Sequence, residues 1–345
     1  MFRFLRGFLR APPLRALVPA GPGPEPLRLP PGPGGENPIH RLLDEIGLPW
    51  RTPRAELERR YGNRRDPAYG SEMVSFDDVP PVVDGMLRPL SAQVSDRYAP
   101  QLPITRFIGH ASFGDDAHDN LRRTAARLAA RFGPATIGRS WNTLVCGWAC
   151  GAASVGLIAW PDEWQSDHLP NPAHERDPRL ASACHVTILT GFRPALTPEE
   201  RGWLDGFVPV APIEGNRLMT PERLRNSPAG EHELEFVREP PARLDHLFGR
   251  MGRSAGGEAL IYCLDQLHLV PADVILRFRV DRMLPAKGGG GATLLVECAT
   301  GIAADPVKRL TVTSAGDPDG LNGTGAAMAR ALGKPLILGE YGYDV

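Results

Sequence analysis

The chain has 345 residues, 42% of them hydrophobic and 23% charged, with a formal net charge of −1. At roughly 100–200 residues per domain, that length holds about two domains, and the composition excludes a coiled coil, a collagen-like chain and a chain disordered throughout. No apolar run approaches the ~20 residues of a membrane helix, and the near-neutral balance provides no overall field for nucleic acid.

The first 35 residues stand apart. They hold five arginines and one acid, Glu25, a local charge of +4, which leaves −5 for the remainder. Residues 1–10 interleave Phe2, Leu5 and Leu9 with arginines. The arginines interrupt the apolar core that a secretory signal needs. A transit peptide fits the arginines but not the lack of serines, and so short a segment makes only a weak membrane-surface contact. A disordered basic leader is the favoured reading. From Pro19 to Gly35, twelve of seventeen residues are Pro or Gly, a linker composition. The folded part is expected to begin near Glu36.

Along the rest of the chain, Thr52-Pro53 predicts a helix over 54–60, the threonine as cap and the proline in the first turn. The spacing of Leu121, Ala125, Leu128 and Phe132 predicts a helix from Asp116 to Phe132, ended by Gly133-Pro134. Thr197-Pro198-Glu199-Glu200 is a capping box, and Thr220-Pro221-Glu222 starts another helix. A helix over 324–332 comes last. Strands are predicted at 104–108, 142–150 and 153–160 (a hairpin turning at Gly151-Ala152), 185–190, 274–280, 292–297, 309–313 and 335–338. Strands and helices mix without βαβ alternation, which indicates an α+β fold. Two mixed antiparallel-sheet-plus-helix domains are expected, at 36–218 and 230–345, divided in the Pro-, Asn- and Ser-rich stretch between them. Ala126–Gly133 resembles Ala326–Gly333, each after a short strand and a Gly-Asp loop. A divergent duplication is one reading of that match, and chance likeness between Ala-rich helices is the other.

Two polar clusters bear chemistry. In the first, His110, Asp115, Asp116 and His118 have the side chains that bind Zn, Mn or Fe, and a bound metal activates water for hydrolysis. The same acids precede the best helix, where carboxylates cap free amides. In the second, His168, His174, Glu175 and Asp177 lie in a loop stiffened by Pro170, Pro172 and Pro178, as a presented contact site does. Beside it, four of the six tryptophans (Trp141, Trp148, Trp160, Trp164) fall within 24 residues. Strand alternation places Trp148, and less clearly Trp160, in the core, and leaves Trp141 and Trp164 as surface anchors.

The remaining motifs are negative. Gly288–Gly291 follows Lys287 without the Lys-Ser/Thr ending of a phosphate loop, and reads as a hairpin. Gly320–Met328 opens a helix, but Met328 stands where a dinucleotide fingerprint needs a small residue. No nucleophile elbow and no zincin motif is present. The five cysteines are scattered and odd in number, which fits free thiols in a reducing cytoplasm. Only three of 39 basic residues are lysines, a bias that points to a GC-rich, bacterial genome. The expectation is a cytoplasmic, non-catalytic protein-binding module of neutralising or adaptor type without a cofactor. It would bind through Trp141, Trp164, His168, His174, Glu175 and Asp177. The alternative is a metal-assisted hydrolase with one divalent metal at the 110–119 cluster.

Overall fold

The computed structural model describes residues 23–65, 72–87, 90–94, 100–114, 116–140, 143–160, 178–180, 182–213, 221–227, 234–285, 289–300 and 306–343. Six α-helices lie among them: α1 Pro38–Glu45, α2 Arg54–Tyr61, α3 Ala117–Phe132, α4 Pro198–Asp205, α5 Pro221–Asn226 and α6 Asn322–Leu332. The strands form sheets of nine, five and four, so the fold is mixed α+β.

Alternating side chains build the first sheet. Its strands are β1 Leu27–Arg28, β2 Arg64–Arg65, β3 Glu72–Ser75, β4 Ser91–Val94, β5 Arg106–Ala111, β6 Gly138–Ser140, β7 Thr143–Cys150, β8 Ala153–Ala159 and β9 Cys184–Leu189. The order is β1-β7-β8-β9-β5-β4-β3-β2, with β6 also paired to β7. In β8, Ala153, Val155, Leu157 and Ala159 are buried while Ser154, Gly156 and Ile158 are half-buried, the period-two pattern of a sheet with one face in the core. On that core face lies α3, whose Leu121, Ala125, Leu128 and Phe132 pack with Phe107, Trp148, Val155, Val186 and Ile188. The helix is capped by the Asp116 carboxylate, which accepts from the Asp119 N–H at 2.9 Å. Trp148 is fully buried, and its indole N–H donates to the Gly133 carbonyl at 2.8 Å, so the ring packs and its one polar atom is satisfied.

The second region is a sandwich. Strands β10 Val208–Pro212, β11 Val237–Arg238, β12 Arg250–Arg253, β13 Ala259–Cys263 and β14 Leu267–Pro271 make the five-stranded sheet in the order β10-β12-β13-β14-β11. Strands β15 Ile275–Leu284, β16 Gly291–Ala299, β17 Val307–Ala315 and β18 Leu336–Tyr343 make the four-stranded one, ordered β17-β16-β15-β18. Met251, Leu260, Tyr262 and Val270 meet Phe278, Val280, Leu294, Val296 and Val312 between the two sheets, with Met328 and Leu332 of α6. On the far side of the five-stranded sheet, Ile261, Cys263, Leu267 and Leu269 pack with Leu204 of α4, Leu224 of α5, Leu244 and Leu247. Every residue of β13 is therefore buried. The outer face of the four-stranded sheet is polar. There the fully buried Glu297 accepts from Arg277 at 2.5 Å and Arg309 at 3.0 Å, from the strands on either side.

Several expectations change. The chain joins the first sheet at Leu27, ahead of Glu36, because the extended Pro-rich backbone at Leu27–Arg28 runs parallel to Trp148–Ala149 on the edge of β7. Thr52 does not cap α2, which starts at Arg54 with Pro53 as its cap position. Sheet membership also changes earlier than 218–230: β10 pairs antiparallel with β12 and Leu204 packs in the second region, whereas Leu234 packs in the first. Proline-rich composition marked a surface connection, and the partners of Val208–Pro212 are fixed by the exposed edge of β12. The two segments matched as a repeat are both strand–helix–strand crossovers, β5–α3–β6 and β17–α6–β18, each with a positive-φ glycine after the helix. Three strands separate the flanking strands in the first and two in the second. The local unit is shared and the sheet around it is not.

Candidate functional site

On the face of the nine-stranded sheet opposite α3, the antiparallel register of β5 and β9 sets His110 directly across from His185. Their rings meet edge to face, 4.4 Å between centroids at 74°. Trp160, the residue after β8, presents its ring to His185 at 4.7 Å and 85°. Period-two alternation explains the grouping: Phe107 and Ala111 on β5, Cys184, Val186 and Ile188 on β9, and Leu157 and Ala159 on β8 all turn to the core. The residues between them must turn the other way. Ile108, Thr187, Ile158 and Val145 continue this face, all half-buried.

The face is flat where Gly147 and Gly156 pair across β7 and β8. A Cβ at Gly147 would come within 3.2 Å of the Val155 carbonyl and 3.4 Å of Pro26, so glycine there admits a close approach of backbone. The strand ends are held by Asn120, a fully buried side chain on α3. Its Oδ1 accepts from the Phe113 N–H. Its Nδ2 donates to the carbonyls of Gly114 at 2.9 Å and Ser182 at 2.7 Å. One side chain thereby ties the exit of β5 to the approach to β9 and fixes the two histidines in register. Arg123 adds a bond to the Phe113 carbonyl at 2.5 Å, and the Arg127 guanidinium lies over the Phe113 ring, 4.2 Å from its centroid.

Of the residues predicted from the sequence, Trp141, Trp164, His168, His174, Glu175 and Asp177 lie outside the described residues, as does Asp115. Their neighbour Trp160 is described, and it is half-buried on the open face. His110 is not gathered with Asp116 and His118. Asp116 serves as the cap of α3, and His118 sits in the first turn of that helix. Among the described residues, no three His, Cys, Asp or Glu side chains are grouped to hold a metal ion. The cysteine thiols are likewise turned inward. Burial pushes Cys146 up to about 11 and Cys184 up to about 12, so both are protonated and poor nucleophiles at neutral pH.

No protein-family model matches the chain, and no curated protein matches it. The site is therefore characterised by its own chemistry. That chemistry is an aromatic and imidazole cluster at one end of a half-buried sheet face, with the exposed Arg106 two residues beyond Ile108 on the same side of β5. His185 and Trp160 were missing from the sequence-based site. The alternation in Cys184–Leu189 already turns His185 away from the core. What no local pattern supplies is the sheet order that brings His110 opposite it, across 75 positions of sequence. Among the described residues, no helix is long and apolar enough to cross a membrane.

Proposed function

We propose that this chain is a protein-binding module of the neutralising or adaptor type, and that its contact surface is the open face of the nine-stranded sheet around Trp160, His185 and His110. The observation that carries the reading is the half-buried apolar and aromatic composition of that face, opposite the core face on which α1 and α3 pack. Interface centres are enriched in aromatic side chains and poor in charge. Pro26 packs over Gly147, but Gly156 beside it leaves the face without a side chain, the nearest atom to a Cβ there being the Thr187 carbonyl oxygen at 3.9 Å. A net charge of −1 favours a protein over nucleic acid as the partner. Trp164, His168, His174, Glu175 and Asp177, the contact residues expected from the sequence, follow Trp160 in the chain. Five buried, unpaired cysteines are in keeping with a reducing cytoplasm, and the arginine bias with a bacterial source.

The test uses the full chain as bait, comparing wild type with Trp160→Ala, His185→Ala and Trp164→Ala. Wild type should retain a partner at near-equal amounts, and the variants should lose it while melting within a few degrees of wild type. Equal capture by all four chains would remove this face as the contact. Near-stoichiometric Zn, Mn or Fe in the dialysed protein, lost in His110→Ala, would replace the reading with metal-assisted hydrolysis.

A further inference from the structure

Strand β18 closes one side of the four-stranded sheet and has no neighbour beyond it among the described strands. An open edge is a template for another strand, and proteins blunt such edges with short strands, proline or charge. The other edges among the described strands follow that rule. β1, β2 and β11 are two residues long, and β2 is Arg64-Arg65. β10 contains Pro209 and Pro212, and β17 carries the exposed Arg309. β18 runs for eight residues with Glu340 as its one charge. It is also where exposed apolar side chains collect: Leu338 (45%), Tyr341 (44%) and Tyr343 (64%) lie on it, and Leu276 and Met283 on the adjoining β15. These are five of the seven large hydrophobic residues exposed among the described residues.

We infer that β18 is the pairing edge of a homodimer, in which the strands of two copies run antiparallel about a two-fold axis at Ile337. The register follows from the backbone. Phe278 donates to the Pro335 carbonyl, so residues 335 and 337 turn their polar groups toward β15, and Leu336 and Leu338 turn theirs to the open side. An axis at Ile337 sets Leu336 opposite Leu338 of the second copy, and each such pair exchanges both of its hydrogen bonds. Pro335, which lacks an N–H, falls opposite Gly339 at a position whose backbone faces β15, so nothing is forfeited. β18 gains an extra residue against β15 after Val280–Leu338, which confines regular pairing to the segment ahead of that bulge. Lys334 and Glu340 lie three residues to either side of Ile337. Both lie outside the regularly paired segment, Lys334 ahead of the strand and Glu340 in the bulge. The same axis brings the lysine of one copy and the glutamate of the other to the same end of the paired segment, two complementary pairs at the rim where a lysine side chain has room to reach. An interface of this length falls below the ~800 Å² per partner of a standard stable complex, so the dimer dissociates on dilution.

The experiment is sedimentation velocity on the full chain from about 1 to about 200 micromolar. Wild type should shift from monomer to dimer across that range. Leu338→Lys should remain monomeric. Lys334→Glu and Glu340→Lys should each weaken the dimer about tenfold or more through like-charge contacts, and the double exchange should recover wild-type association to within about threefold. Thermal melts establish that each variant is folded, and the double exchange restores the dimer only if the register is right. A monomer at every concentration, a dimer indifferent to Leu338→Lys, or single charge reversals that the double exchange does not repair would each overturn the inference.

Discussion

The nine-stranded sheet and the five-stranded sheet are both antiparallel for most of their pairings, yet they bury their strands differently. β8 alternates buried and half-buried residues along its length, whereas β13 is buried at every position, with the four-stranded sheet on one side and α4, α5 and the Leu244–Leu247 segment on the other. A strand with two covered faces has nothing left to offer a partner. A strand with one covered face keeps a surface whose side chains cost little to change in the folded state. The histidine and tryptophan cluster stands on the second kind of strand, and the comparison separates residues that hold the molecule together from those proposed to meet a partner.

Four measurements bear on that separation. Trp148→Ala removes a fully buried indole and its bond to Gly133 and should cost about 3–5 kcal/mol in urea unfolding. A loss under about 1 kcal/mol would mean the core face of the first sheet is not the packed side. Asn120→Ala leaves the Phe113 N–H and the Gly114 and Ser182 carbonyls without their partner, for about 2–3 kcal/mol. It should also weaken partner capture, since the clamp holds His110 against His185.

A third measurement lies in the sandwich. Burial pushes the His268 imidazole down to about 4 from its ordinary 6.5, and the ring stacks on Tyr262 at 4.4 Å. Between those values the unfolded chain binds a proton that the folded chain refuses. Stability is therefore full above pH 6.5 and falls toward pH 4, by at most ~1.4 kcal/mol per pH unit from this group. His268→Gln should flatten that limb of the stability profile relative to wild type; parallel limbs would show that His268 takes up its proton in the fold. The smallest effect on stability belongs to the open face. His185→Ala should change the unfolding free energy by less than about 1 kcal/mol, while capture of a partner is lost. A large loss of stability would assign His185 to the scaffold.

What the sequence disclosed follows the same division. Helix α3 was readable because its stripe and its Gly133-Pro134 stop are local signals, and the β7–β8 hairpin because its alternation and its Gly151 turn are. Helix α1 passed unnoticed although Asn37-Pro38 caps it, since its Ile39, Leu42 and Leu43 lie in a short polar stretch behind the Pro-rich segment. The runs Ala259–Cys263 and Leu267–Pro271 carry no period, because both of their faces are covered, and a continuous apolar run does not distinguish strand from buried helix. The fold class needed only local signals. The pairing of His110 with His185 needed the β5–β9 adjacency, which depends on long-range strand order.

All five cysteines are buried and unpaired, three in the core of the first sheet and two in the sandwich, with Cys263 and Cys298 pushed up to about 12 by desolvation. An intact molecule therefore hides every sulfur from an alkylating reagent, and each modification event records a moment when that part of the chain came open. Two sets of thiols, one in each region, make the protein its own pair of clocks. Their rates under native conditions would tell whether the first sheet and the sandwich come apart together or in turn.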